Sequence, residues 1–502
     1  ALIQEVAYRS VSKELRAELH ERLAGWLEGE LGERIGEYEA IVGYHFEQAF
    51  RYREELHAVD GHARGLAGRA VERLSSAGRR ALARDDTPSA ANLLGRAVSL
   101  VQEDSPKRLT LLPAFVEALR EMPDLPRAAA VVDEAVAEAT AVGDPRVETL
   151  ARIERAHVRL MSDREGAVKE AFEEGERAVA VFEELGDELG LAKAWRLISL
   201  AHRFRGQQSA RREALEQALV HVRRGGDRRT EAWIFDGLGG VHNYGPSSVQ
   251  ALLSFAEESL RWARANGQRF NEAHALAQGL GRSYAMLGDF AAARQAVAEA
   301  RSIVDDLGFV WHRAGLASAA GFVEMLAGDP AAAERELREG LAVLERSDMT
   351  GSYFGMGLRD ELAQALYAQE RYEEAKELCG ASEREAARDD IQAQVQWRAL
   401  RAKLMAREGR ADEAEALARA AVALVERTEF LIVHANALMD LGEALRLAGR
   451  PSEAISALED ARRLYERKGD RVSAGRAEAA LAELHEASSA AAQLPSTTTT
   501  RR

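Results

Sequence analysis

The sequence predicts an all-α protein built from stacked antiparallel helix pairs, and three observations carry that prediction. Hydrophobic residues make up 46% of the chain but aromatics only 6%, so the apolar content is mainly Ala, Leu and Val, a mixture that favours helix. Proline is scarce, with 10 in 502 residues, about 2% against a usual ~5%. Turn signals also recur at Gly288-Asp289, Gly328-Asp329, Glu370-Arg371, Gly409-Arg410 and Gly449-Arg450, at intervals of 40, 42, 39 and 40 residues. Length alone suggests roughly three domains, but a repeat array escapes that arithmetic because each unit packs only on its neighbours.

The first 63 residues are helical but off the repeat. Leu15, Leu19, Leu23, Trp26 and Leu27 form one stripe, and Ile41, His45, Phe46, Ala49 and Tyr52 form another. This region is expected to be a junction. Residues 64–487 are expected to hold about ten helix pairs and a capping helix near Arg471 to His485. Weaker turns fall near Asp85-Asp86, Met122-Pro-Asp, Ser162-Asp163, Gly206 and Gly245. Residues 242–248 and 347–357 read as looser joints. The polar, threonine-rich residues 488–502 are expected to be a disordered tail.

Within a unit, apolar residues recur every three or four positions on both sides of the turn. Leu276, Leu280, Tyr284 and Leu287 precede Gly288, and Phe290, Ala293, Val297, Ala300 and Ile303 follow it. Pro246, Pro330 and Pro451 fall where a second helix should begin, where a missing N–H costs nothing. Asp329 before Pro330 is an expected N-cap.

These residues carry a resemblance. Leu280-Gly281-x-x-Tyr284-x-x-x-Gly288-x-Phe290-x-x-Ala293-x-x-x-Val297-x-x-Ala300 resembles the tetratricopeptide repeat, as does Leu441-Gly442-x-x-Leu445-x-x-x-Gly449-x-Pro451-x-x-Ala454-x-x-x-Leu458-x-x-Ala461. The resemblance implies a right-handed superhelix. Small residues at 281, 293 and 300 would let helices approach closely, while Tyr284 and Phe290 fill the gaps. The period of about 40 exceeds the usual 34. Armadillo and HEAT repeats share the longer period, but the Gly/Ala/aromatic spacing favours the tetratricopeptide reading.

A second resemblance lies in the first sixty residues. Leu2-Ile-Gln-Glu-Val-Ala-Tyr8, Arg16-Ala-Glu-Leu-His20-Glu-Arg-Leu-Ala24 and Ile41-Val-Gly-Tyr-His-Phe-Glu-Gln-Ala49 resemble the segment joining an AAA-type signalling ATPase to its repeat arm, as in class III adenylate/guanylate cyclase–ATPase proteins and in transcription activators. This implies that the chain is a fragment whose upstream part held the ATPase. No G-x-x-x-x-G-K-[ST] phosphate loop is present to carry nucleotide-binding residues. The threonine-rich end, in place of a DNA-binding helix-turn-helix, favours the cyclase-like relatives.

The balance of 67 Lys+Arg against 82 Asp+Glu, a net charge of -15, argues against phosphate neutralisation on nucleic acid or binding to anionic lipid. A single cysteine, Cys379, permits neither an internal disulfide nor a thiolate metal cage and suits the cytoplasm. It reads as a small inward-facing apolar residue.

No catalytic, cofactor or metal constellation emerges. His57 and His62 sit on different helix faces without supporting ligands, and His45 reads as a core histidine. Gly281-Arg-Ser283-Tyr-Ala285 lacks the last glycine of a nucleophile elbow. Gly351-x-x-x-Gly355-x-Gly357 reads as a flexible helix start, not a phosphate cradle. Trp195, Trp233, Trp262, Trp311 and Trp397 are expected mainly in packing.

The repeat register instead implies a partner-binding groove on the first helix of each pair, exposing Gln278, Arg282, Phe322, Met325, Asp360, Gln364, Lys403, Asn436 and Glu443. The expected partner is a protein or peptide segment, with the upstream ATPase domain one option. The expected function is a non-enzymatic interaction or sensor arm of a signalling ATPase. The alternatives are the regulatory end of a nucleotide cyclase and a free-standing scaffold, and oligomeric state is left open.

Overall fold

Helix capping explains most of the observed boundaries in the computed structural model, which describes residues 8, 10–56, 59–84, 86–102, 105–120, 122, 125–162, 165–307, 310–346, 350 and 352–493. Of the expected features, residues 1–7, His57, Asp85, Pro123, Asp124, Asp163, residues 347–349, Gly351 and the end of the tail lie outside these. The chain forms two compact units, residues 1–158 and 159–502.

The first unit holds α1 (Lys13–Leu31), a 3-10 turn, α2 (Ile35–Leu56), α3 (Gly61–Ala83), α4 (Thr87–Ser99), α5 (Pro106–Arg120), α6 (Leu125–Val142) and most of α7 (Pro145–Met161). Ser12 and Asp60 cap α1 and α3 by accepting from Leu15 N and Ala63 N, each bond satisfying an amide that the first turn leaves free. Phe46, Leu74, Leu94 and Leu112 anchor the core between successive helices. One stripe departs from expectation. Of its residues only Leu27 packs on the core, beside Leu31 and the buried Ala17 and Ala24, while Leu15, Leu19, Leu23 and Trp26 face solvent.

The second unit continues with α8 (Ala167–Leu185), α9 (Glu188–Phe204), α10 (Gln208–Gly225), α11 (Arg228–Tyr244) and α12 (Val249–Asn266). Next come α13 (Arg269–His274), a π-helical stretch (Ala275–Gly281), α14 (Arg282–Leu287), α15 (Phe290–Leu307), α16 (Val310–Ala327), α17 (Pro330–Glu345) and α18 (Tyr353–Ala368). The last are α19 (Tyr372–Glu385), α20 (Ile391–Arg407), α21 (Ala411–Val425), α22 (Leu431–Leu447), α23 (Pro451–Lys468) and α24 (Arg471–Gln493). The last helix thus runs past its expected end near 485 into the stretch read as tail. No strand occurs among the described residues.

All five evenly spaced turns adopt the left-handed conformation, with φ of 91° at Gly288, 82° at Gly328, 62° at Glu370, 82° at Gly409 and 74° at Gly449. Glycine reaches that region without a Cβ penalty; Glu370 bears it. Pro330 and Pro451 open α17 and α23, and Asp329 caps the former by accepting from Ala332 N at 2.8 Å. Pro246 instead lies two residues before Ser248, the N-cap of α12.

The small residues of the repeat bring helices into contact. A Cβ added at Gly442 would come within 2.8 Å of Leu458, and Ala454 and Ala461 are fully buried. First helices of successive pairs also lie side by side, α16 against α18, α18 against α20 and α20 against α22.

The second unit then closes on itself, which the repeat pattern did not predict. Glu429 N donates to Gly206 O at 2.8 Å, and the Glu429 carboxylate accepts from Ser209 N and Oγ, both at 2.6 Å. The fully buried Lys468 donates to His242 O at 2.7 Å and Gly245 O at 3.0 Å, satisfying the last carbonyls of α11 from 226 and 223 residues away. Arg476 likewise donates to Met325 O and Leu326 O.

Candidate binding surface on the first helices

The π-helical stretch at 275–281 interrupts what the apolar spacing presented as one uniform helix. Gly279 sits where an added Cβ would come within 2.5 Å of Ala256 Cβ, so the backbone there is pressed against α12. π-Turns of this kind re-aim the side chains that follow them and recur at functional positions. Here they are Gln278, whose Nε2 donates to Gly315 O of α16 at 2.7 Å, and Arg282, whose guanidinium lies 3.8 Å from the Phe322 ring centroid. Tyr244 lies on another side of the same guanidinium, at 5.8 Å. This cation–π stack fixes Arg282 in place.

Hydrogen bonds continue across the neighbouring first helices. Ser318 Oγ of α16 donates to Glu361 of α18 at 2.7 Å. Lys403 Nζ of α20 donates to Gln364 Oε1 at 3.1 Å and pairs with Asp440 of α22 at 2.7 Å, with Glu443 at 3.9 Å. Its ammonium also lies 4.3 Å from the Tyr367 ring centroid. Tyr367 donates its hydroxyl hydrogen to Glu443 Oε1 at 2.7 Å and accepts from Arg407 Nε at 2.7 Å. Asn436 Oδ1 accepts from Tyr465 at 2.6 Å.

Eight of the nine residues chosen from the repeat register are thereby placed along this face or at its closing end; Met325 contributes its carbonyl to Arg476. Asp360 is not among them. It turns between α18 and α19 toward Ser382 and Cys379, and burial pushes its carboxyl up to about 7. The next residue, Glu361, takes the position on the face, because Asp360 and Glu361 both fit three- and four-residue spacing to Gln364 and only packing chooses between them. The expected exposure is also corrected. Arg282 and Lys403 are buried among the neighbouring first helices, and Asp360 is buried between α18 and α19.

The electrostatics divide the face in two. Around Lys403 the charges compensate: burial raises Glu443, but Lys403, Tyr367 and Arg407 outweigh it and hold the carboxyl below its usual value. Burial raises Asp440 despite Lys403. At the other end, Arg282 Nε and Nη1 and Glu361 Oε2 have no hydrogen-bond partner, and burial lifts Glu361 to about 7 although Arg282 opposes it. Buried donors and acceptors left open are costly unless a water or a ligand completes them.

Sequence reasoning missed Ser318, Glu361, Tyr367, Arg407 and Asp440. Tyr367 and Arg407 each lie one turn beyond a chosen residue, Gln364 and Lys403, so a wider window would have found them.

Among the described residues, no group of three or more His, Cys, Asp or Glu is placed to hold a metal, and no helix is long and apolar enough to cross a membrane. His62 is exposed beside Glu21. His45 meets His20, Nδ1 to Nδ1, at 2.7 Å, and burial lowers both imidazoles. Cys379 is fully buried, as a small apolar residue would be, and its thiol donates to Trp397 O at 3.3 Å.

Residues 393–467 match the tetratricopeptide repeat family. Among solved structures, the chain is similar to one in the APC/C hetero-tetramer Cut9–Hcn1, at 13% identity and a TM-score of 0.51, covering 96% of this chain and 92% of that one. A Rap protein complexed with competence and sporulation factor has 11% identity and a TM-score of 0.44, with 76% and 99% covered. Yeast Tom70 has 13% identity and a TM-score of 0.37, with 93% and 97% covered. No curated protein matches. The chain is therefore an all-α helical solenoid that carries tetratricopeptide repeats at 393–467.

Proposed function

We propose that the chain is a non-enzymatic interaction arm whose first-helix face in the second unit binds a protein or peptide segment. The observation that carries this is the part-exposed polar face itself: Gln278, Gln364 and Glu443 are half-buried and Asn436 is exposed along it, with the half-buried Phe322 ring stacked on the buried Arg282. A peptide fits such a face, since its main chain supplies both donors and acceptors for the exposed polar side chains and its own side chains can rest on the ring.

The narrower form of the proposal is an arm appended to an AAA-type signalling ATPase, acting in the cytoplasm and biasing the domains upstream. It is supported by the order and spacing of residues 2–49 and by the lone cysteine. A cyclase fragment and a free-standing scaffold are the competing contexts. A phosphate loop and cyclase signature encoded directly upstream of Ala1 would select the cyclase, and a nearby start codon the scaffold.

The groove is tested by screening a peptide array against the chain and measuring the best binder by fluorescence anisotropy. Arg282→Ala with Phe322→Ala should weaken it at least tenfold while helicity is kept. Gln278→Ala serves as a milder second variant at a half-buried position. Unchanged affinity in both would overturn the assignment.

A further inference from the structure

Seven of the ten large apolar side chains left exposed among the described residues fall between Tyr8 and Tyr44. Four of them line one helix: Leu15, Leu19, Leu23 and Trp26 of α1 are 45%, 50%, 40% and 59% exposed. Their spacing of four, four and three residues makes one continuous stripe. The other side of α1, packed on the first unit, fully buries only Ala17 and Ala24, with Leu27 and Leu31 half-buried against the core. The helix therefore turns its larger apolar face to solvent, the reverse of an ordinary surface helix. Tyr44 and Ile41 of α2 are 41% and 49% exposed, and Tyr44 packs edge-on against His20 of α1 at 6.0 Å, extending the patch sideways. Contiguous exposed apolar surface of this kind marks an interaction site.

The details of α1 indicate what fits. Gly25 and Gly29 flank Trp26, and an added Cβ at either would meet nothing within 4 Å, so another helix can approach closely there. The stripe is edged by an exposed ion pair, Glu18 with Arg22 at 2.6 Å. This pattern is complementary to its own reverse. An antiparallel copy with its dyad between His20 and Glu21 sets Leu15 opposite Trp26 of the second copy and Glu18 beside Arg22 of the second copy. A parallel copy would instead carry the two Glu18–Arg22 flanks to opposite sides of the seam, where neither charge meets its complement.

We infer that α1 is a self-association helix: two copies of the chain pair antiparallel through Leu15, Leu19, Leu23 and Trp26. With 19 residues, α1 is about 28 Å long. Two such stripes bury on the order of 1,000 Å² in total, the low end for specific interfaces. The dimer should accordingly form in the micromolar range. The inference uses a face of the first unit and is independent of the peptide groove.

Sedimentation velocity of the full chain from about 1 to 200 µM tests it. A dimer is expected, and Leu19→Glu with Leu23→Glu should raise its dissociation constant at least 100-fold with an unchanged far-UV spectrum, because both side chains face solvent. Glu18→Arg should weaken the dimer several-fold at unchanged helicity, and adding Arg22→Glu to it should restore wild-type affinity, as an antiparallel pairing across the seam requires. A wild-type chain that stays monomeric at 200 µM overturns the inference and leaves the face to a different partner. A dimer indifferent to the Leu19/Leu23 double variant overturns it as well.

Discussion

Lys468 gives the most direct test of how the second unit closes. Its ammonium is fully buried at the end of α23, donating to His242 O and Gly245 O. Burial, with Arg282 adding repulsion and Asp470 opposing it, pushes Lys468 down from its ordinary 10.5 to about 7. Between those values the unfolded chain holds a proton that the folded chain has released, so the contribution of this group to stability rises with pH. It is absent below pH 7 and complete above 10.5. Each pH unit inside the window corresponds to 1.36 kcal/mol, so the step from pH 7 to pH 9 adds about 2 to 3 kcal/mol. Lys468→Met keeps the unbranched stem and removes the titration. It also leaves the last carbonyls of α11 without their donor, at a cost of about 1 to 3 kcal/mol. Urea denaturation followed by circular dichroism at pH 7, 8 and 9 measures both effects. Other groups titrate alike in the two proteins and cancel in the difference. The wild-type chain should gain on the variant by about 2 kcal/mol over this range, and a difference that stays flat would refute the buried-ammonium account.

Three further outcomes follow from local geometry. Gly442→Ala should destabilise by about 1 to 2 kcal/mol, because overpacking against Leu458 at 2.8 Å outweighs the helix propensity gained; a raised melting temperature would contradict the close approach. Glu370→Gly should stabilise by about 0.5 to 1 kcal/mol, since it relieves a φ of 62° at a non-glycine residue, and thermal denaturation reads the sign. Burial raises the Cys379 thiol to about 12, so iodoacetamide at pH 8 should leave it unmodified in the native chain and label it fully in denaturant. Native labelling would mean that the α19–α20 packing opens readily.

The fold class was legible because it rests on local signals. Helix period, left-handed turns and caps are properties of a few consecutive residues, and Gly288, Gly328, Gly409, Gly449 and Asp329 all behave as their sequence context implies. Glu370 does so too, without the glycine that would make its turn easy. The polar face of the first helices was legible in register but not in detail. Periodicity names the helix side to within one position, which is why Asp360 was chosen where Glu361 stands. The π-turn escaped because nothing in Ala275–Gly281 breaks the apolar spacing; it arises where Gly279 is pressed onto Ala256.

By itself, the sequence determined an all-α chain of helix pairs, the places of its turns and caps, and which helices share the polar face. The tertiary structure decided what lies between distant residues. It joined Glu429 to Gly206 and Ser209, set Lys468 against the end of α11, buried Arg282 and Lys403, and turned the leucine stripe of α1 outward. The physical reason is range: a turn or cap is settled by residues a few positions apart, whereas contacts across more than 200 residues depend on the accumulated rotation of many stacked pairs, which no single repeat encodes.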